Sequence, residues 1–323
     1  MMQRRSFLLG SAAAAAAWTV PAPLLAQDKT PISIILPLGG GSGADTSTRI
    51  LASILSQELQ RTVIVENKPG ADTMIATQYV LNGPADGTRV LMISPSNMVI
   101  VPLVNKSLRF NPETQLQPVI TSTRGGTALV VKAGKHKSLA EFVAYAKANP
   151  GKASLATYSG HYYKLLALMI QRELGIELNN VQYKAPAPAL NDVVGGNVDA
   201  MIIDAGAARE FFRAGKIHLL ALTHERRPPA FHDVPTFSEL GYPGSTAYIW
   251  IGYGVKAGTP PEMVQRLYKG FSAALKSKEY LAYIEQASAG SETVDLDPEK
   301  TTRYAQEERK RFARLIEKTG YTN

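Results

Sequence analysis

The sequence predicts an α/β protein with mostly parallel sheets, built from two successive sets of alternating strands and helices. Three observations carry this. Apolar, β-branched runs alternate with helix-length amphipathic stretches from about residue 30 to 222. Turn signals rich in Gly and Pro separate them. The 323 residues are enough for two medium domains.

The elements follow in order. Residues 32–36 (Ile-Ser-Ile-Ile-Leu) are a strand, followed by Leu36-Pro-Leu-Gly-Gly-Gly-Ser-Gly-Ala-Asp45. A helix is expected over 45–60, with Ile50, Leu51, Ile54, Leu55 and Leu59 on one side. Residues 62–66 form a β-branched strand ending at the turn Asn67-Lys-Pro-Gly-Ala71. Residues 74–81 read as helix and 88–94 as strand.

A second set opens with strand 128–132. Ser138-Leu-Ala-Glu141 fits a capping box, and its helix stops at Pro150-Gly151. Strand 154–157 precedes a polar, aromatic turn, Tyr158-Ser-Gly-His-Tyr-Tyr163. Helix 164–174 and strand 180–183 come next. Pro186 and Pro188 flank a helix start, and Gly195-Gly196 ends that helix. Apolar strand 200–204 and strand 218–223 complete the set. A helix over 237–240, a strand over 248–255, a long helix from Thr259-Pro-Pro-Glu262 to 275 and a last helix over 298–318 are expected to pack back across both sets.

The glycine run carries the functional signal. Glycine lets main-chain N–H groups approach a ligand, and the first amides of the following helix carry partial positive charge. The turn is therefore a seat for a carboxylate or phosphate. A dinucleotide fingerprint fails, because Thr46 stands where the third glycine belongs and Asp45 would repel a pyrophosphate. A serine hydrolase would use Ser42 or Ser159 with His161, yet Gly40-Gly-Ser42-Gly-Ala44 lacks the last glycine of a nucleophile elbow. Asp204, ending an apolar strand, sits at a cleft mouth or caps a helix. In an anion site it would favour a ligand that also carries a donor. Tyr158, Tyr162 and Tyr163 either pack in the core or close over a planar ligand.

Composition narrows the classes. The formal charge is +8, and it falls by two if residues 1–26, which hold Arg4, Arg5 and no acid, are removed. The cations are scattered rather than clustered with aromatics, so a nucleic-acid partner is not expected. There is no cysteine, and none of the five histidines has metal-ligand spacing; no metal and no cofactor are expected. Residues 1–26 read as an export signal resembling the twin-arginine type (Arg4-Arg5-Ser6-Phe7-Leu8-Leu9), cleaved near Ala26 although Leu24 departs from the usual small residue. A periplasmic location follows.

Several stretches together resemble the substrate-binding receptors of tripartite tricarboxylate transporters, the Bug family. They are Pro37-Leu-Gly-Gly-Gly-Ser-Gly-Ala-Asp45, Val65-Glu-Asn-Lys-Pro-Gly-Ala71, Pro84-Ala-Asp-Gly-Thr88, Ala148-Asn-Pro-Gly-Lys152, Tyr183-Lys-Ala-Pro-Ala-Pro-Ala-Leu190, Gly195-Gly-Asn-Val-Asp199, Asp233-Val-Pro-Thr236 and Ala257-Gly-Thr-Pro260. Their order and spacing cover nearly all of the chain after the export signal.

The resemblance implies two α/β lobes of the periplasmic-binding-protein type (type II-like), with a small carboxylate in the interlobe cleft and a membrane permease as partner. It implies no catalysis; some members act as sensors. Lobe 1 would hold 27–121 and 224–323, and lobe 2 would hold 122–223, with hinges near 122–126 and 223–226. A monomer is expected. Carried over by position, the ligand-binding residues are Pro37, Leu38, Gly39, Gly40 and Gly41 in the first turn, and Ser94, Ser96 and Asn97 after the third strand. The second lobe adds Thr157, Tyr158, Ser159, Gly160, His161, Ala185, Pro186, Ala187 and Asp204. The family favours an aromatic and prolines where this chain has Leu38, Gly39 and Gly40, and a Ser/Gly-rich run where it has three tyrosines. These departures point to an acid with a flat or apolar body near Tyr158 or Tyr162. A Gly40→Asp change is expected to abolish binding.

Overall fold

The computed structural model describes residues 30–105, 107–158, 160–287 and 290–321. The expected export signal (1–26) and Ser159 lie outside the described residues.

The strands form two sheets. The first contains β1 (Ile32–Leu36), β2 (Val63–Asn67), β3 (Arg89–Ile93), β4 (Leu116–Gly125), β10 (Ile249–Lys256) and β11 (Ser291–Leu296), in the order β11-β4-β10-β3-β1-β2. The second contains β5 (Thr127–Lys132), β6 (Ser154–Tyr158), β7 (Asn179–Tyr183), β8 (Ala200–Asp204) and β9 (Ile217–Leu222), in the order β7-β6-β8-β5-β9. Each is the sheet of one lobe. Both sheets are mixed. Strand β1 runs parallel to β2 and β3, and β6 runs parallel to β7 and β8, as strand–helix–strand alternation requires. The antiparallel pairs all involve β4, β5 or β10, the strands that carry the chain between the sheets.

Helices cover the faces: α1 (Gly43–Leu59), α2 (Met74–Leu81), α3 (Val101–Val104), α4 (Pro112–Gln115), α5 (Leu139–Ala148), α6 (Gly160–Leu174), α7 (Pro186–Gly195), α8 (Ala205–Arg213), α9 (Pro261–Leu275), α10 (Lys278–Ala287) and α11 (Pro298–Thr319). Alternation on β1 sorts the core. Ile32, Ile34 and Leu36 join Leu51, Leu55 and Leu59 of α1 and Val264, Leu267 and Phe271 of α9, whereas Ile35 faces the larger core that continues into the second lobe. Gly252 in β10 is set by close approach: a Cβ there would lie 2.4 Å from the Ile120 carbonyl oxygen, beside a register shift.

The chain first crosses between lobes at Gly126, the single residue between β4 and β5. After β9 it keeps to the second lobe. Leu222 bridges Thr236, and the Ala247 amide donates to the Thr223 carbonyl. It rejoins the six-stranded sheet only at Ile249. A further tie is α11, where Arg311 donates to the Thr246 carbonyl and Phe312 packs 6.0 Å from the Tyr162 ring.

Two local expectations change. Helix α6 begins at Gly160, four residues early, because Gly160 takes φ +79° and turns the chain directly into the helix. His161, Tyr162 and Tyr163 are therefore helical rather than in a turn. Residues 237–240 form no helix. Thr236 and Glu239 do exchange capping-box hydrogen bonds, but Gly241 at φ +90° ends the turn at once.

Candidate functional site

A cavity of about 640 Å³ lies between the lobes, at the carboxyl ends of the parallel strands. Lobe 1 contributes Pro37 and Leu38 after β1, Ser42 with Gly43, Ala44 and Ser47 of α1, and Ser94, Pro95 and Ser96 after β3. Lobe 2 contributes Tyr158 from β6, Tyr162 and Tyr163 from α6, and Asp204 at the end of β8. Gly125, Gly126, Ile249, Trp250 and Ile251 come from the crossing strands, and Tyr280 and Ile284 from α10. Among the described residues no lysine, arginine or histidine lines it, and Asp204 is its carboxyl group. A second hollow of about 410 Å³, rich in cations, lies against α11 and away from the strand ends.

The glycine turn divides into two parts. Pro37 and Leu38 line the cavity, but Gly39, Gly40 and Gly41 are exposed and do not. The Gly41 amide, at φ +81°, is aimed at the protein's own carboxylate: it donates to Asp45 Oδ2 at 2.9 Å. Asp45 also accepts from Arg49 at 3.1 Å and from Asn67 at 2.9 Å, and Asn67 donates to the Leu38 carbonyl. The Arg49 hydrogen bond, reinforced by those of Gly41 and Asn67, outweighs burial and holds the Asp45 carboxyl down to about 2. The position that free glycine amides were expected to offer a ligand is thus partly filled from within. The amides of Gly43 and Ala44, at the start of α1, have no acceptor among the described residues. Ser42 caps the helix by accepting from the Asp45 amide at 3.1 Å.

After β3, Ser94 and Ser96 face the cavity while Asn97 does not. Asn97 is fully buried, accepts from the Ser94 amide at 2.9 Å and donates to the Met92 carbonyl at 3.0 Å, which fixes the loop. It leads into a single wide π-type turn, Ser96–Ile100, an irregularity frequent at functional sites.

In lobe 2 the Asp204 carboxyl lies within hydrogen-bond distance of the Tyr163 hydroxyl, at 2.9 Å, and of the Tyr158 hydroxyl, at 3.0 Å. Burial pushes the carboxyl above its ordinary range, and burial is also the largest cause of the upward push on both phenols. The buried Tyr162 hydroxyl and Trp250 indole N–H have no partner among the described residues.

The remaining expected residues lie outside the cavity lining. Thr157 is buried in β6, and Gly160 is exposed at the start of α6. His161 bonds the Tyr321 hydroxyl at 2.8 Å and approaches Asp72 at 3.5 Å. Ala185, Pro186 and Ala187 start α7, away from the cavity. Conversely, Ile249, Trp250, Ile251, Tyr280 and Ile284 line it without having been foreseen. Their chain segments read as ordinary strand and helix, and only long-range pairing of β10 with β3 and β4 brings the first three to the cleft.

The family model described as "Tripartite tricarboxylate transporter family receptor" matches residues 47–321. The chain belongs to that family. It is 32% identical to BugT of Bordetella pertussis over 325 residues, covering 99% of this chain and 98% of the relative. A solved structure described as a periplasmic transporter superposes with a TM-score of 0.79 at 27% identity, covering 90% of this chain and 98% of the other. The R. palustris protein Rpa4515, solved with adipate, gives 0.77 at 27% identity with the same coverage.

Proposed function

We propose that this chain is an exported receptor that captures a small carboxylate between its lobes and delivers it to the membrane permease of a tripartite tricarboxylate-type transporter. The observation that carries the reading is the lobe 1 wall. There the amides of Gly43 and Ala44, unengaged among the described residues, adjoin the hydroxyls of Ser42, Ser47, Ser94 and Ser96, in a cavity that no described cation lines. Oriented amides and hydroxyls, with bridging water, suit a carboxylate. Family membership and the adipate in a relative support the same class of ligand, and the basic, apolar start of the chain supports export to the periplasm.

Pro37, Leu38, Ser94, Ser96, Tyr158 and Asp204 are the expected ligand residues that we place around the bound acid. Ile249, Ile251 and Ile284 would pack its apolar body. Lobe closure would exclude water and present the docking face. Calorimetry and thermal shift with a panel of mono- and dicarboxylic acids test the reading. At least one acid should stabilise the folded chain, by about 2.7 kcal/mol at a hundred times its Kd. Ala44→Asp, which places like charge at the α1 amides, should abolish that binding. A folded protein that binds no acid in the panel, or an Ala44→Asp variant that binds as well as the parent, would overturn it.

A further inference from the structure

Tyr158, Tyr163 and Asp204 form a closed triangle of oxygens. The two phenol oxygens are 2.8 Å apart, Tyr163 lies 2.9 Å from Asp204 Oδ1, and Tyr158 lies 3.0 Å from Asp204 Oδ2. Each separation is a hydrogen-bond distance, and each bond needs its own proton. Two phenols bring two. With an ionised Asp204 one edge has no proton: either the phenol oxygens meet lone pair to lone pair at 2.8 Å, or the Tyr158 oxygen meets the Asp204 Oδ2 lone pairs at 3.0 Å. A proton on Asp204 closes the ring. Tyr158 then donates to Tyr163, Tyr163 donates to Oδ1, and the carboxyl O–H donates to Tyr158, each bond polarising the next.

The surroundings favour the same state. Asp204 is faced by Tyr158 from β6, Tyr163 from α6 and Thr127 across the ladder from β5, with Gly206 and Ala207 of α8 beside it. Among the described residues no cation lines the cavity, and Arg209, further along α8, makes no ion pair with Asp204. A carboxylate buried without a cation is costly, which agrees with the upward push that burial exerts on this group.

We infer that Asp204 is a neutral carboxylic acid near neutral pH, and that its closed ring with Tyr158 and Tyr163 selects against ligands with a second carboxylate and for acids whose far end carries a hydroxyl or other neutral donor. This rests on the carboxylate-receptor reading above. The selection follows from counting bonds. All three ring protons are spent inside the ring, so it offers a ligand acceptor lone pairs and no donor. A second carboxylate would meet acceptors only, whereas a hydroxyl could donate.

Two measurements test this. Infrared difference spectroscopy of wild type minus Asp204→Asn, without ligand and near neutral pH, should contain the C=O stretch of a protonated carboxyl. The difference is needed because Glu308, also buried and pushed upward, can give its own band. Should Asp204→Asn not fold, Tyr163→Phe removes one bond to the carboxyl and should shift the same band. No such band, or no shift, overturns the neutral acid. Calorimetry then compares adipate with 6-hydroxyhexanoate, matched in length. The hydroxy acid should bind at least about tenfold tighter. Adipate binding as tightly or tighter overturns the selection while leaving the receptor reading intact. Binding of neither acid, together with silence across the wider panel, counts against the receptor reading and this selection, and the infrared band still decides the charge of Asp204.

Discussion

Asp45 and Asp204 each stand near the start of a helix beside the cleft, one in each lobe, and have opposite electrostatics. Asp45 lies in the first turn of α1, beyond β1 and the glycine turn, and Asp204 ends β8 just before α8. Asp45 is given a guanidinium, a glycine amide and an asparagine amide, and its carboxyl is driven down to about 2. Asp204 is given two phenols and, among the described residues, no cation, and its carboxyl is driven up. Position in the fold does not set the charge of a buried acid; the count of donors and cations around it does. Lobe 1 therefore neutralises its own acid internally, leaving the α1 amides of Gly43 and Ala44 as the positive end of the cavity.

The contrast can be broken at Asp45 first. Asp45→Ala strands Arg49, the Gly41 amide and Asn67 and frees the glycine turn, so urea unfolding should register a loss of about 2 kcal/mol. A neutral result would mean that the network holds nothing. Acid titration sharpens the comparison. Because the Asp45 carboxyl falls from 3.8 to about 2 on folding, its contribution is complete above 3.8 and is lost as the pH drops toward 2. Asp204 has the reverse sign: it stabilises fully below 3.8, and that contribution fades as pH rises through its raised folded value. Relative to wild type, Asp204→Asn should therefore gain stability with increasing pH, and Asp45→Asn should lose least in acid. Melts across pH check both slopes.

At neutral pH, Asp204→Asn exchanges one neutral folded-state group for another and removes the ionisation that favours the unfolded wild type, so the variant should be at least as stable as wild type, in contrast to Asp45→Ala. A clear loss would count against a neutral Asp204. The smallest effect belongs to Gly40→Asp. Its Cβ would meet Asn67 Oδ1 at 3.9 Å and Asp45 Oδ2 at 4.0 Å, ordinary contact distances, and the residue does not line the cavity, so ligand affinity should change by less than about threefold, under ~1 kcal/mol. This departs from the expectation drawn from the glycine run alone; complete loss of binding would move the carboxylate seat back onto that turn.

Much of the scaffold was legible locally. The spans 32–36, 74–81 and 200–204 coincide with β1, α2 and β8, because apolar runs bounded by Gly, Pro and Asn signals need no distant partner to be read. Strand β4 was not foreseen. It carries Pro118 and a run of Thr and Ser, and it is a strand because β10 and β11 pair with it on either side. For the same reason, β10's part in the cavity could not be read from its own residues.

The order of elements, the family and the strand-end loops that face the cleft were determined by the sequence alone, since they depend on periodicity, turn chemistry and spacing along the chain. Tertiary structure decided which glycine amides remained free, which aspartate kept its charge and how Tyr158 met Tyr163 and Asp204. Arg49 stands one helical turn from Asp45, but Asn67 at Asp45, and the oxygens of Tyr158, Tyr163 and Asp204, come from separate elements brought within 3.0 Å of one another, and such distances are set by packing between elements.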